Sequence, residues 1–446
     1  MAAHLEQWLR VVTVVRPPET AKALLLTLNS FLLIFGYYQV KAAREGLLLA
    51  AHAAAVKAYL AIPQLLLLVA GVWAFAWLSA RVPRHRLISG VTLFAISNLL
   101  AFYALDRAGV PVAVLGVAFF VWLGVFNLAL PAQFWGFAND LYTEEAGKRL
   151  FPLIALGASL GGVAGPLVAR QVLPVVGCYG MMLVTSAILL LTVGLTWLIH
   201  GRDLHGQGGG APVARAAAQR PLDPGGGFRL VRSSRYLVLI AAMMVLYNFI
   251  NALGEYMFSD LQRAVAVRAL GPAPGPELQT YIGTAFAGYQ FLGNLIGLGV
   301  QLFLVSRVLR WVGVGGALLV LPLIALGGYG IAAFGASLLL LKWVKAIENG
   351  LDYSLMKTTR SALYLVTRRE EKYKAQAAIE TFFVRGGDVL CALVVWLGTA
   401  VLPLSIEAFA AVNVAAVCLW IAVTVLITRE RRRMAAGAGP RAEPVQ

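Results

Sequence analysis

The sequence predicts an all-α polytopic membrane protein, with twelve transmembrane helices in two six-helix halves. Three observations predict it. The 446-residue chain is 60% hydrophobic and only 13% charged, too little charge to cover a soluble surface of that size. Apolar runs of about 20 residues recur along it, each long enough to cross a hydrocarbon core of ~30 Å. A stretch rich in Gly, Pro and Arg, GRDLHGQGGGAPVARAAAQRPLDPGGGFRLVRSSR, divides these runs into two sets. A composition of that kind forms a flexible linker rather than a core.

The spans are expected near 23–41, 56–79, 87–105, 111–140, 150–172 and 177–199 in the first half. In the second half they are expected near 236–258, 280–304, 311–331, 335–357, 376–400 and 404–427. The halves are then 1–200 and 236–428, with the linker at 201–235 and a basic tail at 429–446. The N-terminal MAAHLEQWLRVVTVVRPPETAK lacks the apolar core and small-residue cleavage site of a signal peptide, so the first helix is expected to enter the membrane itself. Cys178, Cys391 and Cys418 lie in or beside apolar runs without close spacing, and read as packing residues rather than a disulfide framework or metal site.

Basic residues orient the chain. Arg81, Arg84 and Arg86 follow span two, Arg307 and Arg310 follow span eight, and Arg368, Arg369, Lys372 and Lys374 follow span ten. The linker and the RERRR tail are also basic. The opposite loops are nearly bare apart from Arg107, Arg263 and Arg268, so both termini are expected in the cytoplasm of a bacterial inner membrane. Much of the +16 net charge is therefore topological and does not call for a nucleic-acid partner. LSARVPR (Leu78–Arg84) and LVSRVLR (Leu304–Arg310) share Leu, Arg, Val and Arg at an offset of 226 residues. The same offset carries Glu144, Glu145 and Lys148 onto Glu370, Glu371 and Lys374. Such an echo fits a parallel duplication, the plan of major-facilitator transporters.

Several charges fall too deep for loops, and intramembrane charges usually face a partner or a water-filled path. The end of the first span, FGYYQVKAAREGLLL, holds Lys41, Arg44 and Glu45 on the side where loops are bare, with Lys57 early in span two. In span ten, LKWVKAIENGLDYSLMKTTR, helical spacing of about 100° per residue puts Lys342, Lys345, Asn349, Asp352, Lys357 and Arg360 within less than half the circumference, as in a pore-lining helix. Span eleven has Glu380, Arg385 and Asp388, and span seven has Glu255. Snorkelling is the rival reading for Lys41, Arg44, Lys57 and Lys357, a mere helix end for Lys357 and Arg360, and structural ion pairing for Glu380, Arg385 and Asp388. A cavity with more Lys and Arg than carboxylates suits an anionic, above all phosphorylated, substrate. Lys41, Arg44, Lys342, Lys345 and Arg360 are the candidate substrate-binding residues. Glu45, Glu255, Asp352 and Glu380 are the candidates for coupling or charge balance. No enzyme motif stands against this: LGASLGG (Leu156–Gly162) lacks the Gly-Lys-Ser/Thr ending of a phosphate loop and reads as helix packing through small residues. Neither a cofactor nor an obligate protein partner is indicated.

Phe134–Gly162, FWGFANDLYTEEAGKRLFPLIALGASLGG, resembles the signature of the nucleotide transporters of plastids and intracellular bacteria, the ATP:ADP antiporters with a major-facilitator-like fold. DYSLMKTTRSALYLV, EEKYKAQAAIETFFVRGGD and FGYYQVKAAREGLLL resemble further parts of that family, over most of residues 20–400. The resemblance implies nucleotide handling by Arg44 and Arg360, where the family has Lys, and by Glu255 as its seventh-helix acid. The family's fourth-helix acid has no counterpart in FVWLGVFNLALPAQ, whose nearest polar residue is Asn127. The function expected is secondary transport of a phosphorylated organic anion, above all ATP or ADP, by exchange or proton coupling. The alternatives are a different organic or lipid-like anion on the same fold, and a non-transporting sensor or scaffold.

Overall fold

A computed structural model describes residues 17–79, 81–82, 84–205, 224–367 and 374–437. Most of the expected linker (206–223), Arg368, Arg369, Glu370, Glu371 and Lys372 of the loop after span ten, and the tail beyond Gly437 lie outside the described residues. In chain order the main helices are α1 (Pro17–Ala51), α2 (Ala54–Tyr59), α3 (Ala61–Ser79), α4 (Arg84–Arg107), α5 (Val112–Leu141) and α6 (Glu144–His205). They continue as α7 (Pro224–Ser233), α8 (Arg235–Leu270), α9 (Pro276–Phe303), α10 (Val305–Phe334) and α11 (Leu338–Leu351). A π-turn over Asp352–Met356 leads into α12 (Lys357–Leu363), followed by α13 (Val384–Trp396) and α14 (Ile406–Gly437). No strand occurs among the described residues.

Nine helical segments among the described residues are long and apolar enough to cross a membrane. One of them, Glu145–Gly201, covers the fifth and sixth expected spans together. Within it Gly177 breaks the helix at φ 71°, ψ 174°, a backbone that only glycine adopts freely. Two expected spans fall outside the nine for different reasons. Near 280–304, α9 carries polar residues such as Gln279, Thr280, Gln290 and Asn294. Near 335–357, α11 stops after 14 residues at the π-turn. At the other extreme α1 outruns its expected span. Nothing in GLLLAA breaks the helix, so α1 continues to Ala51, and Lys41, Arg44 and Glu45 lie inside the helix rather than at its end.

The chain packs as two compact units. The first combines Met1–Ala53, Ile62–Gln219 and Arg263–Asn294; the second combines Ala54–Ala61, Arg220–Gln262 and Leu295–Gln446. In the first unit α1 lies along α6, and glycine spacing explains how close they come. A Cβ on Gly157, Gly161 or Gly165 would sit 2.4, 2.4 and 2.9 Å from the carbonyl oxygens of Thr27, Phe31 and Phe35. Both sets repeat every four residues, so one ridge of small residues lets the two backbones touch. Side-chain hydrogen bonds lock the seam: Ser30 donates to the Ile154 carbonyl at 2.7 Å and Gln39 to the Gly165 carbonyl at 2.9 Å. LGASLGG is thus a packing stripe. In the second unit α10 packs along α14, and α13 meets α8 at Gly387, whose Cβ would lie 2.6 Å from the Val245 carbonyl.

Candidate functional site

In the first unit the charges of α1 rest on aromatic faces. Arg44 bonds the Glu45 carboxylate and sets its guanidinium 4.3 Å from the ring centroid of Phe120 on α5. Lys41 lies 5.1 Å from the Tyr38 centroid and 5.8 Å from that of Tyr37. Tyr38 in turn donates its hydroxyl to Asn294 Oδ1 at 3.1 Å. Each contact offers a cation the negative face of a ring where water is scarce. Glu45 is buried and Arg44 nearly so, so this cluster sits within the packing and does not snorkel.

The second unit holds a denser array, built on α8, α10 and the broken tenth segment. Lys345 is completely buried. Its ammonium donates to Asn251 Oδ1 at 2.7 Å, to the Asn251 carbonyl at 3.1 Å and to Glu348 Oε2 at 2.9 Å. The same carboxylate oxygen accepts the Tyr329 hydroxyl at 2.8 Å. All three ammonium protons are therefore used, which is what a buried cation requires. Two turns on, Asp352 Oδ1 accepts from Arg360 at 2.9 Å, and the Arg360 guanidinium lies 5.1 Å from the Tyr247 ring centroid. These two side chains keep 19% and 18% of their exposure. Arg360 is thus the more reachable of the two cations.

The π-turn explains that second pair. In an unbroken α-helix, residues eight apart point about 80° away from each other. A π-turn takes up one extra residue and turns the following helix back by about 100°, leaving a mismatch of roughly 20°. Asp352 and Arg360 then line up two turns apart, within reach of an arginine. The uninterrupted stripe expected for span ten is accordingly resorted: Lys345 points inward, Lys342 is half-buried and Lys357 is exposed.

The other candidates separate. Lys57 of α2 pairs with Glu255 at 3.3 Å and donates to Ser259 at 3.2 Å, so it is held rather than snorkelling. Glu380 is exposed and accepts from Gln376 at 2.8 Å, one turn back on its own segment. Arg385 bonds Asp388 at 3.0 Å, while Asn248 donates to the other Asp388 oxygen at 2.7 Å. That triad ties α13 to α8. Sequence reasoning missed Glu348, Asn251, Tyr329 and Tyr247. The three-residue spacing of Lys345 and Glu348 on one helix was a usable signal for the first; the others come from distant helices.

No family model matches the chain. Part of it is 23% identical over 295 residues to ADP,ATP carrier protein 1 of Chlamydia muridarum, covering 58% of this chain and 54% of that one. It is 24% identical over 299 residues to the same-named protein of Chlamydia pneumoniae, covering 58% and 56%. By sequence this chain resembles ADP,ATP carriers. The chain spans about half the length of the curated relatives it matches. Its fold is similar to that of a POT family transporter solved with 5-aminolevulinic acid, at TM-score 0.64 and 14% identity, covering 92% of this chain and 96% of that one. It is also similar to a bacterial homologue of the iron transporter ferroportin in its inward-facing state, at TM-score 0.63 and 14% identity over 92% and 98%. A nucleoside transporter follows at TM-score 0.56 and 16% identity over 92% and 98%. These likenesses support the major-facilitator-like, all-α membrane fold.

Proposed function

We propose that this protein is a secondary transporter of a phosphorylated organic anion, above all a nucleotide. It would work by alternating movement of the two expected halves, 1–200 and 236–428, around the linker 201–235, with the tail 429–446 and both termini in the cytoplasm. The observation that carries the reading is Arg360: a largely buried but still accessible guanidinium over an aromatic ring, held by one carboxylate that an incoming phosphate can replace. Similarity to the chlamydial carriers supports the substrate class. Arg44 on Phe120 is a second such guanidinium in the other unit, with Glu45 as its counter-charge and Lys41 nearby. Lys342 would add to the binding charge. Lys345 is satisfied internally and would contribute through Glu348 and Asn251. Glu255, Asp352 and Glu380 would balance charge or couple. Arginine suits this role because its planar fork matches phosphate oxygens while its face stacks on a ring.

The test is uptake of labelled ATP or ADP into proteoliposomes preloaded with either nucleotide, against a panel of other organic phosphates. Saturable counterflow is the expected result; no saturable uptake of any nucleotide overturns the substrate. One observation favours a second cargo. The fourth expected span lacks the acid found at that position in the resembled family, with Asn127 in its neighbourhood. A different charge balance there admits another organic or lipid-like anion, and competition by such anions in the same assay decides between them.

A further inference from the structure

Beside the Lys345–Glu348 pair the second unit has a small, partly open cavity of about 10 Å³, lined by Tyr247, Ile250, Asn251, Leu321, Glu348 and Trp420. That is the lower bound of the space one water needs, and the lining must also offer polar partners. It does. Trp420 is 1% exposed, and its indole Nε1–H has no hydrogen-bond partner. A buried donor left in that condition costs about 1–3 kcal/mol. Glu348 Oε2 already accepts from Lys345 and Tyr329, and its other oxygen belongs to a residue that lines the same space. Tyr247 also lines it, with its ring 5.7 Å from that of Trp420 and 5.1 Å from the Arg360 guanidinium.

We propose that this cavity is a binding site for a single ordered water that joins the two ion pairs of the second unit into one network. The water accepts from Trp420 Nε1–H and donates to the Glu348 carboxylate and to the Tyr247 hydroxyl. Tyr247 in turn carries the Arg360 guanidinium on its ring. The connected chain is then Lys345 to Glu348, through water and Tyr247, to Arg360 and Asp352. An apolar cavity of this size would stay dry; the unpartnered indole and the carboxylate are what call for water here. The network also gives Trp420, a residue with no charge and no place among the sequence candidates, a positioning role. It acts on Glu348 and Lys345 through a bound molecule. Within the transport reading, and resting on it, an anion that takes Arg360 from Asp352 would be felt at the buried Lys345.

Two measurements test the proposal without requiring transport. A map of the full chain in nanodiscs at about 2 Å should show one peak between Trp420 Nε1 and Glu348, at about 2.7–3.2 Å from each. A dry cavity at that resolution overturns the site. The second is a set of melting temperatures in detergent for Glu348→Gln, Arg360→Lys and their combination, in the native background and with Trp420→Phe. The network predicts losses that are non-additive with Trp420 and additive without it. Should Trp420→Phe fail to fold, Leu321→Phe serves instead, because its larger apolar side chain fills the cavity without adding a polar group and should abolish the same non-additivity. Additive losses in the native background, or coupling that survives expulsion of the water, overturn the proposal. If proteoliposome counterflow is absent while the coupling is present, transport fails and the water site stands.

Discussion

Glu348→Leu is the sharpest perturbation the structure suggests. It removes the counter-charge of a cation that is 0% exposed and cannot reach water. At 2.9 Å the pair attracts by about 6 kcal/mol at an effective dielectric constant of ~20. Part of that attraction offsets the cost of desolvating both ions, so the whole value is not lost. What remains after the substitution is Lys345 with two neutral acceptors on Asn251, and a Tyr329 hydroxyl without its acceptor. Breaking a buried pair by deleting one partner costs about 3–5 kcal/mol. For a large domain that is a drop on the order of 10 °C in melting temperature. The double variant Lys345→Met/Glu348→Leu removes both charges and should recover most of the loss, since apolar replacement of a whole buried pair is often neutral or better. Scanning fluorimetry of detergent-purified protein reads the parent and both variants. If Glu348→Leu melts within about 1 kcal/mol of the parent, or the double variant is less stable than the single, the ion-pair reasoning is wrong.

Three further outcomes are expected. Deleting Tyr353 from the π-turn should turn it into plain α-helix and leave Asp352 and Arg360 seven residues apart on one face, so expression and melting stay near the parent. Deleting Val344 from α11 has no extra residue to absorb and should abolish folding, as gel filtration would show; equal tolerance of both deletions contradicts the register account. Gly161→Val pushes a side chain against the Phe31 carbonyl, where even a Cβ would lie at 2.4 Å, and should cost several kcal/mol or prevent folding. Gly90→Ala meets open space and should melt within about 0.5 kcal/mol of the parent. Arg44→Ala and Arg360→Ala should weaken anion-dependent thermal stabilisation about tenfold or more in apparent affinity while the protein still folds, a loss of ~1.4 kcal/mol or more. Arg360→Lys should restore only part, because lysine neither forks nor stacks as arginine does; unchanged affinity in all three would make these residues interface anchors.

How much of this was legible in the chain depends on the kind of physics involved. Hydropathy is a property of composition, so the apolar runs and the membrane class could be read directly. Small-residue spacing is local as well, and LGASLGG announced a close helix contact before any partner was known. Helical spacing likewise placed Asp352 and Arg360 on one stripe. It did so by assuming an unbroken helix, and the observed pair arises from a π-turn that hydropathy does not see. The break expected between spans five and six does fall at Gly177, but the apolar run did not show that a single glycine would make it without a loop.

The sequence by itself determined where charges stand along each helix. Apart from the local pairs Lys345–Glu348 and Arg385–Asp388, which partner each charge takes was decided by tertiary structure. Lys345 chooses Asn251 and Glu348, and Glu348 also takes Tyr329; Lys57 chooses Glu255; Asp388 chooses Arg385 and Asn248. Most of these choices join helices far apart in the chain. In a low-dielectric interior a charge must find its partner within about 3 Å. Distances of that size are set by helix packing, which no spacing along a single helix encodes.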